Sequence, residues 1–192
     1  EAIIEFDDDN DEVTKTRIPK SYRSPSLDSY LRKKRTVSEA RLTSEARKSG
    51  VPTPAVLDID THDFEIRTER IGSGIDLSES ELGIDTDDAE EIGRYLAGLH
   101  SSGIAHGDPT TRNMVRSSDG DVYLIDFGLS YATRETEDFG MDIHVLRRTL
   151  EGTVSDSEEI IDAFWSGYSK TWDNAEEVYD QLKEIEGRGR YL

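Results

Sequence analysis

Three oxygen-bearing side chains fall within residues 100–128 at spacings that suit one kind of chemistry. Asp108 follows His106-Gly107, Asn113 stands five positions later, and Asp126 opens Asp126-Phe127-Gly128. Phosphoryl transfer from a nucleotide needs this set. One carboxylate orients the acceptor and takes its proton, while an amide and a second carboxylate hold Mg²⁺ against the phosphates. Gly and Asp also favour ordinary turns, so either piece alone says little. Both pieces, in this order and joined by a turn at Ser117–Gly120, point to phosphoryl transfer from a nucleotide.

Such a site needs a cation for the phosphates, and strand periodicity offers one. Ala2–Phe6 and Val13–Ile18 read as a hairpin across the acidic turn Asp7–Glu12, with Val13, Lys15 and Arg17 on one face. Lys15 is placed to grip a nucleotide's phosphates; a solvent-facing lysine is the alternative. From Ser26 to Ser49 runs a helical stretch closed by Gly50, with Pro52 just beyond. Thr36-Val37-Ser38-Glu39 has the form of a capping box and suggests a break near Thr36. Glu39, Leu42 and Ala46 share one face, and a Glu on an apolar stripe calls for a partner cation. Lys15 is that partner on this reading; a capping carboxylate is the alternative.

A second strand pair, Val56–Asp60 and Phe64–Ile71, relaxes into Gly72-Ser73-Gly74. There one lobe hands over to the next, dividing the chain into residues 1–71 and 72–192. Backbone groups from Glu69 to Ile71 are the expected contacts for an adenine edge. Further helices are predicted from Thr86 to Gly103, Met141 to Leu150, Ser157 to Thr171 and Asn174 to Ile185. About a dozen residues, Leu129 to Gly140, thus separate Gly128 from the next helix. Trp165, Tyr168 and Trp172 read as core, His106 as a prop for its loop, and the tail from Gly187 as small, basic and mobile.

The chain has 192 residues, no Cys and a net charge of −19. It is one modest domain or two small lobes, without a disulfide framework or thiolate metal site. No apolar run is long enough to span a bilayer, and the expected setting is cytoplasmic. The chain starts without Met and within a strand, as a piece cut from a longer protein or a fusion would. Charge is unevenly spread: residues 13–50 hold eleven Lys/Arg against three acids, and residues 51–192 hold 32 acids against twelve bases. The acid excess fits a surface adapted to high salt. The basic block fits phosphates or an acidic partner.

Several strings together resemble one family. Arg17-Ile18-Pro19-Lys20-x-Tyr22-Arg23-x-Pro25-x-Leu27-Asp28, Arg35-Thr36-x-x-Glu39-Ala40-Arg41-Leu42 and Gly50-Val51-Pro52-Thr53-Pro54 are similar to the small atypical kinase of the KEOPS (EKC) tRNA-modification complex, the PRPK-like, RIO-related family. His106-Gly107-Asp108-x-Thr110-Thr111-x-Asn113 and Gly187-Arg188-Gly189-Arg190 agree. The resemblance implies an α+β fold: a reduced two-lobe protein-kinase-like architecture with a small β-rich N-lobe carrying a long helix and a short, mostly helical C-lobe. It implies ATP and Mg²⁺, with Lys15 on the α/β-phosphates, Glu39 orienting it, Asp108 as base, and Asn113 and Asp126 on metal. Its implied partners are a threonylcarbamoyl transferase subunit, fused upstream in some archaea, and other KEOPS subunits. Transfer RNA would meet the basic block 13–50 and Arg188/Arg190. With the acid excess, the source reads as a halophilic archaeon.

The chain departs from the family pattern at Pro109, where Leu is usual, and at Arg112, where a small residue is common. No Gly-rich phosphate lid is visible between Glu1 and Lys15, so such a lid lies upstream of Glu1 or is absent, and no long activation segment follows Gly128. The expected activity is that of an atypical Ser/Thr kinase or ATPase. A small-molecule phosphotransferase and a nucleotide-sensing scaffold subunit are the alternatives.

Overall fold

The computed structural model describes residues 2–79, 83–154 and 157–189. Strands β1 (Ala2–Asp7), β2 (Glu12–Arg17), β3 (Val56–Asp60) and β4 (Glu65–Glu69) form an antiparallel sheet in the order β1-β2-β4-β3. Its register decides what faces the interior. Ile4 and Ile66 are both paired with Lys15, and Phe6 and Thr68 are both paired with Val13. Residues paired directly across strands point to the same face, so two rows, Ile4–Lys15–Ile66 and Phe6–Val13–Thr68, make one surface with the lysine at its centre.

Helix α1 (Pro25–Lys48) runs unbroken against this sheet. The expected interruption near Thr36 does not occur. No Gly or Pro interrupts residues 26–48, good helix formers dominate, and Thr36 is fully buried within the helix. Glu39 therefore sits mid-helix and caps nothing. After α1, Val51 enters the same core as Leu42 and Ala46. The Pro52 carbonyl accepts the Leu124 N–H at 2.9 Å, tying this segment to the second half of the molecule.

That half begins with α2 (Thr86–Ser101), whose first turn is closed by a reciprocal capping box between Asp85 and Asp88. Short strands β5 (Ile104–Ala105), β6 (Met114–Arg116), β7 (Val122–Leu124) and β8 (Tyr131–Ala132) follow, with β6 paired to β7 and β5 to β8. The rest is helical: α3 (Thr136–Thr153), α4 (Ser157–Thr171) and α5 (Ala175–Gly189). The fold is the expected α+β, a small antiparallel sheet with its long helix and a mostly helical C-terminal part.

Two helix bounds depart from expectation. Helix α3 begins at Thr136 rather than Met141, because Gly140 serves close packing instead of breaking the helix. A Cβ there would lie 3.1 Å from Ile185 Cδ1 and 3.3 Å from Gln181 Cγ on α5. Only residues 129–135 therefore separate Gly128 from α3. Helix α5 also continues past Ile185, so the tail is helical through Gly189. There Arg188 pairs with Glu137 at 2.8 Å and Glu184 at 3.4 Å, while Arg190 lies outside the described residues.

Helices α2 and α4 cross closely enough to exclude a methyl group. A Cβ on Gly167 would stand 1.9 Å from the Glu90 carbonyl, and one on Gly93 would stand 2.1 Å from the Phe164 carbonyl. Tyr168 is fully buried at this crossing, with Trp165 and Trp172 packed against the core as expected. Among the described residues no helix is long and apolar enough to cross a membrane.

Candidate active site

Beneath the inner face of the sheet lies a cavity of about 210 Å³. Ile4, Phe6, Val13 and Ile66 give it an apolar roof, and Val115 and Ile125 line it from the C-terminal half. Lys15, Glu39, Asn113 and Asp126 supply polar groups at one end, and Glu69, Arg70 and Ile71 line it from the end of β4 and the segment that leaves it. An apolar slot with a few convergent polar groups has the form of a small-molecule site.

The charged end is a chain of alternating signs. Lys15 Nζ donates to Glu39 Oε1 at 2.7 Å and to Asp126 Oδ1 at 2.7 Å. Glu39 Oε2 accepts from Arg17 Nη2. Asp126 adopts a left-handed backbone (φ 60°, ψ 70°), a conformation uncommon outside Gly, Asn and Asp. Its own Oδ1 supports that turn by accepting the Gly128 N–H at 3.0 Å. Burial pushes the Asp126 carboxyl upward, but the Lys15 ammonium and the Gly128 N–H outweigh it, holding the group below the ordinary carboxylate value.

Asp108 and Asn113 meet across the loop between β5 and β6. Asn113 Nδ2 donates to Asp108 Oδ2 at 2.9 Å and to the Asp108 carbonyl at 2.8 Å, while Asn113 Oδ1 accepts no hydrogen bond among the described residues and Asn113 lines the cavity. Asn113 Oδ1 and the Asp126 carboxylate are hard oxygen donors. Mg²⁺ uses one or two protein carboxylates and takes its remaining ligands from phosphates and water, so this pair fits it. Among the described residues no group of three His, Cys, Asp or Glu side chains forms a fuller cage.

The loop's rigidity comes from His106 and Asp142. His106 is fully buried, its Nε2 lies 3.2 Å from the Ile125 carbonyl, and its Nδ1 accepts the Asp108 N–H at 3.3 Å. Burial holds its pKa below the usual 6.5. It props the loop, as expected. Asp142, on α3, accepts the His106 N–H at 2.6 Å and the Gly107 N–H at 2.8 Å. Its Oδ2 also lies 3.1 Å from His100 Nε2, and His100 Nδ1 meets the Tyr168 hydroxyl at 2.8 Å.

At the far end, the expected adenine contacts narrow to one donor. The Glu69 N–H is taken by the Ala55 carbonyl, and its side chain by the Ala55 N–H and Arg47. The Arg70 N–H goes to the Asp11 carbonyl. The Ile71 N–H makes no hydrogen bond among the described residues, and the residue Ile71 is one of those lining the cavity.

Sequence comparison now places the molecule. The chain is 42% identical over 182 residues to a probable serine/threonine-protein kinase BUD32 homolog of Archaeoglobus fulgidus, covering 94% of this chain and 88% of that protein. The chain belongs to the Bud32 kinase family. It is also 48% identical over 195 residues to a probable bifunctional tRNA threonylcarbamoyladenosine biosynthesis protein of Haloarcula marismortui, and 47% identical over 194 residues to its namesake in Natronomonas pharaonis. Each alignment covers 100% of this chain and 34% of the relative, so the chain spans about a third of those longer proteins. No family model matches the chain. Relatives from halophilic archaea agree with the salt-adapted reading of its acid excess.

Within this Bud32-family chain, the fold brings Lys15, Glu39, Asn113 and Asp126 together and sets Asp108 beside Asn113. Reading the sequence missed Arg17 and Asp142. Arg17 shares a strand face with Lys15, and that alternation was the available signal. Asp142 left none, because it reaches the His106 and Gly107 N–H groups from 36 and 35 residues away.

Proposed function

We propose that this chain is a Mg²⁺–ATP-dependent kinase or ATPase acting in the formation of threonylcarbamoyladenosine in tRNA. The observation that carries this reading is the convergence of Lys15, Glu39 and Asp126 with the Asp108–Asn113 pair at one end of an apolar cavity. In this reading the base lies under the roof of Ile4, Phe6, Val13 and Ile66, and the Ile71 N–H donates to its edge. Lys15, steadied by Glu39, neutralises the α/β-phosphates. Asn113 Oδ1 and Asp126 hold Mg²⁺, which supplies the positive charge that offsets developing negative charge on the transferring group. Asp108 orients the attacking hydroxyl or water and receives its proton, and Asn113 Nδ2 fixes the carboxylate for that task. Residues 1–71 and 72–192 then act as the two lobes on either side of the nucleotide.

The acceptor side favours water or a docked partner over a free peptide. Residues 129–135 are too few to build a long peptide platform, and the Leu129 carbonyl packs directly on Gly107. The proposed partners are a threonylcarbamoyl transferase subunit and other KEOPS subunits, in the cytoplasm. Transfer RNA would meet the basic block, whose cations the fold sorts. Lys15, Arg17, Arg23, Arg32, Arg41 and Arg47 are paired with carboxylates. Lys33, Lys34, Arg35 and Lys48 are exposed and make no ion pair among the described residues, and Lys33 and Lys34 flank the exposed Tyr30. These are the cations left for phosphates.

The test is ATP turnover by the purified chain and its Asp126→Asn variant. Turnover should vanish in the variant while its thermal melting stays cooperative. Equal turnover in both proteins overturns the reading.

A further inference from the structure

Arg17 is buried at 8% exposure, and its Nε has no hydrogen-bond partner among the described residues. Leaving a buried donor unsatisfied is costly, so its placement calls for an offsetting task. The geometry points to one: we propose that Arg17 is a positioning residue that anchors Glu39, and through Glu39 holds Lys15 in place for nucleotide phosphates. This rests on reading the cavity as a nucleotide site.

Arg17 is itself held on both sides. Its N–H donates to the Phe64 carbonyl at 3.1 Å, and its carbonyl accepts from Arg32 Nη1 at 3.3 Å. Arg32 is fixed in turn by Asp28 at 2.7 Å and lies 3.8 Å from the centre of the Phe64 ring. From that base the guanidinium reaches Glu39 Oε2 and the Asp126-Phe127-Gly128 turn. A Cβ on Gly128 would stand 3.3 Å from Arg17 Nη2 and 3.4 Å from Glu39 Oε2. One guanidinium thus joins β2 to α1 beside the turn carrying the proposed metal carboxylate.

The division of labour follows from the two cations' shapes. Lysine is a mobile point charge on a flexible stem, whereas the planar arginine fork fixes a carboxylate's orientation. Glu39 gives Oε1 to Lys15 and Oε2 to Arg17. Phosphates entering the cavity compete with Asp126 for the Lys15 ammonium, leaving Glu39 as its remaining protein partner. With Oε2 anchored, Glu39 cannot follow the lysine. Without Arg17 the carboxylate turns freely, and Lys15 is no longer held in register with the phosphates.

The experiment measures the affinity of the fluorescent nucleotide mant-ATP, with Mg²⁺, for the full chain and the variants Arg17→Met, Arg17→Lys, Glu39→Gln, Lys15→Met and the Arg17→Met/Glu39→Gln double. Arg17→Met should weaken binding about tenfold or more, with Arg17→Lys intermediate. The double variant should bind no more weakly than Glu39→Gln alone, because an anchor has no effect once its carboxylate is gone. Losses that multiply in the double variant, or an Arg17→Met that binds normally while Glu39→Gln is impaired, overturn the proposal. Normal binding by Lys15→Met and Glu39→Gln overturns the nucleotide-site reading instead. Where Arg17→Met does not fold, Arg17→Lys replaces it in the same cycle with the same criteria.

Discussion

Replacing Asp142 with Asn tests what holds the Asp108 loop. The carboxylate is 2% exposed and receives three donors: the His106 N–H at 2.6 Å and His100 Nε2 at 3.1 Å on Oδ2, and the Gly107 N–H at 2.8 Å on Oδ1. Asn keeps one acceptor. Set with its oxygen at the Oδ2 position, it retains two partners without the charge and turns an NH₂ group toward the Gly107 N–H. A buried donor left facing a donor costs about 1–3 kcal/mol, and the two remaining bonds each lose about half of a charge-assisted value of roughly 1.5–3 kcal/mol. The expected loss is therefore about 3–5 kcal/mol, against about 5–15 kcal/mol for a whole domain. With a urea slope of about 2 kcal/mol per M, the unfolding midpoint should fall by about 2 M. ATP turnover should fall at urea concentrations where the variant is still folded, since the Gly107–Asp108 backbone has lost its clamp. A midpoint within about 0.5 M of the parent refutes the reasoning, because a loss of roughly 1 kcal/mol is too small for three severed or weakened buried bonds.

Three further outcomes are expected. His106 is held neutral by burial, below the usual 6.5; the unfolded chain then binds the extra proton, so stability is full above about pH 6.5 and falls as pH drops toward the folded value. Urea midpoints at pH 5, 6 and 7 should show this slope and a flatter one for His106→Gln, and parallel curves would remove His106 as the cause. Gly167→Ala drives a methyl into the Glu90 carbonyl, 1.9 Å from its ideal position, and should cost about 3 kcal/mol by separating α2 from α4; a thermal melt unchanged from the parent would contradict the close crossing. If Lys33 and Lys34 meet RNA phosphates, the Lys33→Ala/Lys34→Ala variant should bind tRNA more weakly and lower the slope of log affinity against log salt by about 1.5; an unchanged slope would place the RNA elsewhere.

Much of the site was readable because its members declare themselves locally. Asp108, Asn113 and Asp126 occupy fixed spacings along one loop and one strand end. Lys15 stands out through period-two alternation and Glu39 through a carboxylate on an apolar helix stripe. Where reading failed, a local signal was overruled by packing. Thr36–Glu39 has capping chemistry, but α1 continues because Thr36 is buried and Glu39 has two cations across the gap. Gly140 reads as a helix boundary, but it lies inside α3 where α5 packs so closely that a Cβ would stand 3.1 Å from Ile185 Cδ1. Arg188 reads as a free tail cation, but α5 delivers it to Glu137.

The amino-acid order by itself determined which atoms are candidates for the proposed chemistry: a candidate base, two candidate oxygen donors for a metal, a cation and its carboxylate. It also determined the strands and helices that carry them, since hydrophobic period and capping are short-range properties. Tertiary structure alone decided how those atoms are held. Asp142 grips the His106–Gly107 backbone from α3, Arg17 secures the free oxygen of Glu39, and Lys15 holds both Glu39 and Asp126, the latter 111 positions away. Such contacts depend on the register of β2 and the placement of α1 and α3 around one core. Both arise from burying surface that is far apart in the chain, and no local spacing encodes them.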